Sequence, residues 1–299
     1  MTMYVVKPIP FKPAMLVSTT ALEPTPLWVS GTSYAKDAEV TWPDPNGNVR
    51  KWRSMINHNT DTPGTTEKWL DIGPCNKCAM FDNLVSTQTT AASPLVVEIQ
   101  PGDVVSNLAL INLLGDSVKV EMFSGGVKVY ESTQSLQGAE IADWWAYYFT
   151  QDEQITQAVF SGLPSYYAPT IRITLTGTGT VAIGQTVFGP RVDLGSLSLG
   201  ATSGIIDYSR KVTDEFGDTQ FVKRAFADEF SGQLLVGNGQ LNSLKRTLRD
   251  LRATPALWVG IDDDTYRELL VVYGWYRSHR IAIKYPNDSL IDLEIEGLT

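Results

Sequence analysis

Two cysteines and two histidines are all that 299 residues contain. Two thiols cannot make the disulfide framework of a small secreted domain, so hydrophobic packing must hold the chain together. A structural zinc site takes four nitrogen or sulfur ligands. The available set, Cys75, Cys78, His58 and His279, is dispersed, its histidines falling in different expected modules. That argues against a metal centre built within one chain, and Cys75 with Cys78 supplies at most half of one. No early segment joins basic residues to an apolar stretch and a small-residue cleavage site, and no run approaches the roughly 20 apolar residues of a bilayer span. The expectation is a soluble chain with no secretion signal of its own and no membrane insertion. Also missing are the G-x-S-x-G elbow, H-E-x-x-H, the phosphate loop G-x-x-x-x-G-K-[ST] and the dinucleotide fingerprint. Their absence leaves hydrolase, metalloprotease and nucleotide chemistry without a starting motif. No cofactor is implied.

Charge of one sign is scarce in the middle. Residues 81–200 carry 4 basic against 11 acidic side chains, whereas 1–80 carry 8 against 7 and 201–299 carry 12 against 15. An acidic surface repels phosphate backbones and anionic lipid, so nucleic acid is not an expected partner. Protein and neutral-sugar partners remain open.

What is present divides the chain into five parts. Residues 1–26 place Pro8, Pro10 and Pro13 among Tyr4, Val5, Val6, Ile9 and Phe11. Proline removes a backbone donor and disfavours helix before it, so these residues read as an extended arm across a neighbouring surface, its own or another subunit's. On that reading, deleting residues 1–13 weakens assembly and leaves the fold intact. Residues 27–74 spread Trp28, Trp42, Trp52 and Trp69 among Gly, Pro, Asn and Thr, with few aliphatics. A segment of this kind forms a core only if its aromatic rings carry most of the buried area. Residues 75–93 read as a linker.

Residues 94–203 alternate polar and apolar: LVVEI, VKVEMF, VKVY, IRITL and VAIGQTVF. Gly125-Gly126 and Gly177-Thr178-Gly179 fall between strand pairs, where hairpin turns need positive φ. The expectation is an antiparallel β-sandwich, with DWWAYYF at 143–149 as a short helix or an exposed patch. In 204–299, Leu241, Leu244, Leu248 and Leu251 keep helical spacing, Asn238 is the expected N-cap and Pro255 limits the far end. ALWVGI, ELLVVYGWY, RIAIKY and LIDLEIE read as strands, the last two flanking a Pro286-Asn287-Asp288 turn. The fold class is mainly β and multi-domain: a small aromatic β module, a sandwich, and an α+β unit with one amphipathic helix on an antiparallel sheet.

Cys75 and Cys78 sit in GPCNKCAMFD, after a Gly-Pro turn and outside the strand-to-helix βαβ setting of a redox dithiol. A buckle between structural pieces is the reading adopted, with or without a local disulfide. Asp262-Asp263-Asp264 lacks the alternate spacing and distal glutamate of a calcium loop, and reads as a solvated turn.

Trp28, Tyr34, Val40, Trp52, Pro63 and Trp69, in W-x5-Y-x5-V followed by P-x5-W, resemble the small chitin-binding type of carbohydrate-binding module over about 45 residues. That resemblance implies glycan stacking, with Trp28, Tyr34, Trp52 and Trp69 as candidate contacts. Asp37 stands where such modules often have glycine, and SMINHN after Trp52 lacks the tryptophan that usually forms the platform. GPCNKCAMFD, VSTQTT and the closing VVYGWYRSHRIAIKYPNDSLIDLEIEGLT are similar to structural proteins of tailed bacteriophages, the C-terminal unit resembling tail-tube and distal-tail proteins. In that resemblance the first position of the cysteine pair need not be cysteine. It implies a non-enzymatic virion component: a tail-tip or baseplate ring subunit, assembled in the host cytoplasm, with other tail proteins, copies of itself and a host-surface glycan as partners. The alternatives are a polysaccharide-binding tail adhesin and a glycan-degrading tail enzyme using carboxylates of the acidic middle.

Overall fold

A computed structural model of the chain describes residues 2–138, 154–213, 216–261 and 267–298. DWWAYYF at 143–149 and Asp262-Asp263-Asp264 lie outside them. The chain is mainly β, built of antiparallel sheets, and divides into two compact units: Ile9–Thr186, and Met1–Pro8 together with Val187–Thr299. The first strand, β1 (Thr2–Val6), belongs to the second of these.

Within Ile9–Thr186, β2 (Leu16–Thr19) follows a 3-10 turn at Pro13–Met15. The meander β3 (Glu39–Pro43), β4 (Val49–Ser54) and β5 (Trp69–Pro74) forms a three-stranded sheet. After it come β6 (Thr89–Ala92), β7 (Leu95–Ile99), β8 (Asn107–Leu114), β9 (Ser117–Ser124), β10 (Val127–Ser135), β11 (Gln157–Phe160), β12 (Thr170–Thr176) and β13 (Thr180–Gly189). They make two sheets, ordered β10-β9-β12-β7-β2 and β11-β8-β13-β6.

The period-2 pattern sets the faces of the five-stranded sheet. Val118, Val120, Met122, Ile171, Ile173 and Leu175 are fully buried on one side. On the other, Lys119, Glu121, Lys128, Glu131, Glu98 and Arg172 form a lattice of ion pairs, including Lys119–Glu131 at 2.7 Å and Arg172–Glu98 at 2.6 Å. Hydrogen bonds from Lys119 and Lys128 hold Glu131 down from the usual 4.5 to about 2. A carboxylate depressed in the folded state contributes stability that is complete above its unfolded pKa and is lost as pH falls through the folded one. The melting temperature of the chain should therefore drop between about pH 4.5 and about pH 2, and Glu131→Gln should flatten that slope in a calorimetric pH series. An unchanged slope would remove Glu131 from acid stability.

Two expectations fail in this unit. Gly177-Thr178-Gly179 is not a hairpin turn within one sheet: β12 belongs to the five-stranded sheet and β13 to the four-stranded one, so the turn crosses between layers. A Cβ on Gly177 would sit 2.9 Å from the backbone of Gly115, a close approach that glycine alone permits. VAIGQTVF does not alternate in burial, because both faces of β13 are covered from Val181 onward. Gly125 and Gly126 do supply positive φ in the β9–β10 hairpin.

The second unit adds β14 (Arg191–Leu197), β15 (Thr202–Asp207), β16 (Arg210–Thr213), β17 (Thr219–Val222), β18 (Phe226–Gly237), the helix α1 (Leu241–Asp250), β19 (Ala256–Val259), β20 (Val271–Ala282) and β21 (Asp288–Gly297). Its sheet runs β14-β1-β19-β20-β21-β18-β15, and a further β14–β18 pairing at Ser196–Leu235 and Leu197–Leu234 closes six strands into a ring. Met3, Val5, Leu234, Trp258, Ile291 and Leu293 fill the core, joined by Leu244 and Leu248 of α1 and by Leu251, the residue that caps its end. At Gly274 the backbones of β20 and β21 leave no room for a side chain, since a Cβ there would lie 2.0 Å from the Glu296 carbonyl oxygen.

The first residues are not a detachable arm. β1 pairs with β14 on one edge and β19 on the other, and Met3, Tyr4, Val5 and Val6 are fully buried. Removing residues 1–13 cannot leave the fold intact, because it takes a central strand out of the barrel. Asn238 is not the N-cap of α1, which follows Gln240 without a side-chain cap. Its amide donates to the Pro286 carbonyl (2.8 Å) and accepts from the Ser289 hydroxyl (2.6 Å), fastening the β20–β21 turn. ELLVVYGWY is only partly strand, as Arg267–Leu270 form one helical turn and β20 begins at Val271 and runs through RIA.

Candidate functional site

The tryptophans of the β3–β5 meander build inward. Strand alternation puts Val40 and Trp52 side by side across β3–β4, and Trp28 and Trp69 pack onto them. Trp28, Trp52 and Trp69 are all buried, Trp69 to 4% exposure. Tyr34 and Trp42 pack against this cluster half-buried, each edge-on to an indole: Trp42 to Trp28 at 4.8 Å and Tyr34 to Trp69 at 5.6 Å. The Trp52 indole N–H donates to the Trp42 carbonyl (3.0 Å) and that of Trp69 to the Asp61 carbonyl (2.8 Å). The Tyr34 hydroxyl accepts from the Val29 amide at 2.8 Å. The fold thus brings all four candidate contacts together as a core, in which three indole faces are taken up by packing. Asp37 adopts φ 67°, the left-handed region that favours glycine and that Asp tolerates better than most residues. Where a platform tryptophan would follow Trp52, Met55 and Ile56 are exposed instead.

Next to the meander is the cysteine turn. β5 ends at Pro74, and Cys75 opens a 3-10 turn, Asn76–Phe81. The Cys75 amide donates to Val49 of β4 (3.2 Å) and the Cys78 amide to the Cys75 carbonyl (3.0 Å). Asn76 is the hub. Its backbone N–H donates to Glu23 (2.6 Å), its side-chain amide donates to the carbonyls of Leu22 (2.7 Å) and Thr90 (2.9 Å), and its side-chain oxygen accepts from the Thr90 amide. One side chain thereby ties the segment before the meander to β6. Sequence reasoning missed Asn76, because its partners lie 14 and more residues away and nothing local marks it.

Both thiols are free, Cys75 buried and Cys78 half-buried. Hydrogen bonding from Cys78 pulls the Cys75 thiol down, while donating to Cys75, together with burial, pushes the Cys78 thiol up. Cys78 lines a cavity of about 410 Å³ with Phe11, Arg50, Phe81, Asp82 and Asn83. Phe11 and Phe81 stack face to face at 4.1 Å on its wall. Burial pushes the Asp82 carboxyl up, against hydrogen bonds from the Thr87 hydroxyl and the Leu84 amide. Among the described residues no cluster of three or more His, Cys, Asp or Glu side chains could hold a metal ion, and no helix is long and apolar enough to cross a membrane.

No family model matches the chain. No curated protein sequence matches it either. Among solved structures, the chain is loosely similar to chitosan-binding module 1 of a chitosanase/glucanase from Paenibacillus sp. IK-5, at 13% identity and a TM-score of 0.27. The match covers 38% of this chain and 84% of that module. A likeness this loose carries no argument about function.

Proposed function

We propose that the protein is a non-enzymatic structural subunit of a bacteriophage virion, a ring component of the tail tip or baseplate that assembles with copies of itself. The observation that carries this reading is the segment running from β15 through β16 and β17 into β18. All eight residues of β16 and β17 are exposed. Along the same segment Ile205, Val212, Phe216, Phe221, Val222 and Phe226 stand in solvent, Phe216 at 92% and Phe221 at 78% exposure. A two-stranded ribbon is marginally stable in water without a covering surface, and its exposed apolar side chains, Phe221 on one face and Val212 with Val222 on the other, suit a protein partner that covers it. Among the described residues no strand pairs with the outer edge of β15, which leaves backbone donors and acceptors that a neighbouring strand can satisfy.

Mass photometry of the purified chain should give one closed oligomer. Replacing Phe221 by Asp should return it to monomer, with stability changed by no more than about 0.5 kcal/mol, as for surface positions in general. A wild type that stays monomeric at micromolar concentration would dispose of the proposal. The adhesin alternative is weakened by the burial of Trp28, Trp52 and Trp69, since a ring packed in a core has no free face to lay on a sugar.

A further inference from the structure

We infer that Cys75 and Cys78 form a redox-active dithiol that closes to a disulfide by exchange with a small disulfide admitted through the cavity beside Cys78. Three observations carry it. The Cys78 amide donates to the Cys75 carbonyl at 3.0 Å, so the two residues are the ends of one tight turn. Their Cα atoms therefore lie within about 7 Å, the distance beyond which a disulfide cannot close without moving the backbone. The thiols are also unequal in access. Cys78 lines a cavity of about 410 Å³, whereas Cys75 is 3% exposed and does not reach it. Finally, these are the only cysteines of the sequence, so within one chain each can pair only with the other.

Access fixes the order of events. The pair holds its anion on Cys75; passing the Cys78 proton to Cys75 along their hydrogen bond puts the charge on the sulfur that lines the cavity, which attacks one sulfur of the incoming disulfide RSSR and displaces RS⁻. The Cys75 sulfur then attacks the Cys78 sulfur of the mixed disulfide and displaces the second RS⁻. Both thiol protons leave with the two RS⁻ groups; the protein pair loses two electrons and RSSR gains them. Cys75 suits the resolving role, because the backbone amides of Lys77 and Cys78 still favour its anion once the Cys78 thiol is consumed in the mixed disulfide. The turn need not unfold for this. The bonds of Asn76 to Glu23, Leu22 and Thr90 use none of the atoms that joining the sulfurs consumes.

The test is oxidised glutathione added to the full chain in a series of glutathione redox buffers, followed by acid quench and intact mass. The wild type should lose two hydrogens and retain no glutathione. Cys75→Ser should retain one glutathione, on Cys78, and Cys78→Ser should retain none. A wild type that stays reduced in fully oxidised glutathione, or a Cys78→Ser variant that takes up glutathione as readily as Cys75→Ser, overturns the inference. Should either variant misfold, alkylation of the native wild type gives a second reading: Cys78, the thiol that lines the cavity, should label before Cys75, and equal or earlier labelling of Cys75 overturns it.

Discussion

A chain lacking residues 2–8 should lose the cooperative unfolding of its C-terminal unit altogether. β1 is bonded on both edges, to β14 and to β19. Its faces are equally committed: Met3 and Val5 join the barrel core, while Tyr4 on the other side is covered by the Arg191 guanidinium at 3.9 Å. Without it, two neighbouring strands lose their ladder partners at once, and four fully buried side chains leave. Met3→Ala alone should cost roughly 2–5 kcal/mol, the usual range for emptying a fully buried site. Val5→Asp should cost more, because it places an unpaired charge in the core. Urea unfolding followed through the fluorescence of Trp258, which is buried in the same core, reads all three. A truncated chain with the midpoint of the full one would mean that β1 is dispensable.

Trp69→Ala should unfold the tryptophan module while leaving the barrel folded. Among the described residues the cluster it belongs to has four buried members, Trp28, Val40, Trp52 and Trp69, so one indole is a large share of the core. Emptying a buried tryptophan costs about 3–5 kcal/mol, close to the whole stability expected of a segment this small. The loss also frees the Asp61 carbonyl that the indole N–H held at 2.8 Å. Hydrogen exchange resolved by segment should show residues 39–74 exchanging freely and β19–β21 still protected. A surface role predicts the opposite pattern, unchanged protection with reduced retention on chitin or peptidoglycan, and that result would restore Trp69 as a glycan contact.

Much of the secondary structure is written in short-range pattern. VKVEM announces β9 because every second side chain enters the core, and Leu244, Leu248 and Leu251 announce α1 for the corresponding reason at helical spacing. What local pattern does not carry is which strands become neighbours. TMYVV is a plain apolar run, and its partners begin at Arg191 and Ala256, far beyond any window in which periodicity operates. β13 hid its setting differently: a strand covered on both faces has no polar phase to report. Asn238 has the right chemistry for a cap and is used elsewhere, because a turn nearly 50 residues on offers it two partners. At the candidate site, the aromatic composition of 27–74 revealed a ring-built core, but composition does not say which faces that core consumes. The cavity beside Cys78 was illegible for a similar reason, drawing Phe11, Arg50 and Phe81 from three separated stretches.

The Lys7 amide donates to the Pro190 carbonyl at 3.0 Å, so the chain leaves the barrel and re-enters it at adjacent points. Everything between is, topologically, a passenger. A host whose exit and entry ends already touch tolerates cargo of almost any length, since loop closure rises only slowly with the number of residues enclosed. Exchanging residues 9–186 for an unrelated domain with neighbouring termini should therefore yield a chimera with the barrel intact, and the same economy would let one scaffold carry many different payloads. During synthesis it imposes a delay: TMYVV emerges well before β14 and β19 and must wait for them before it can pair.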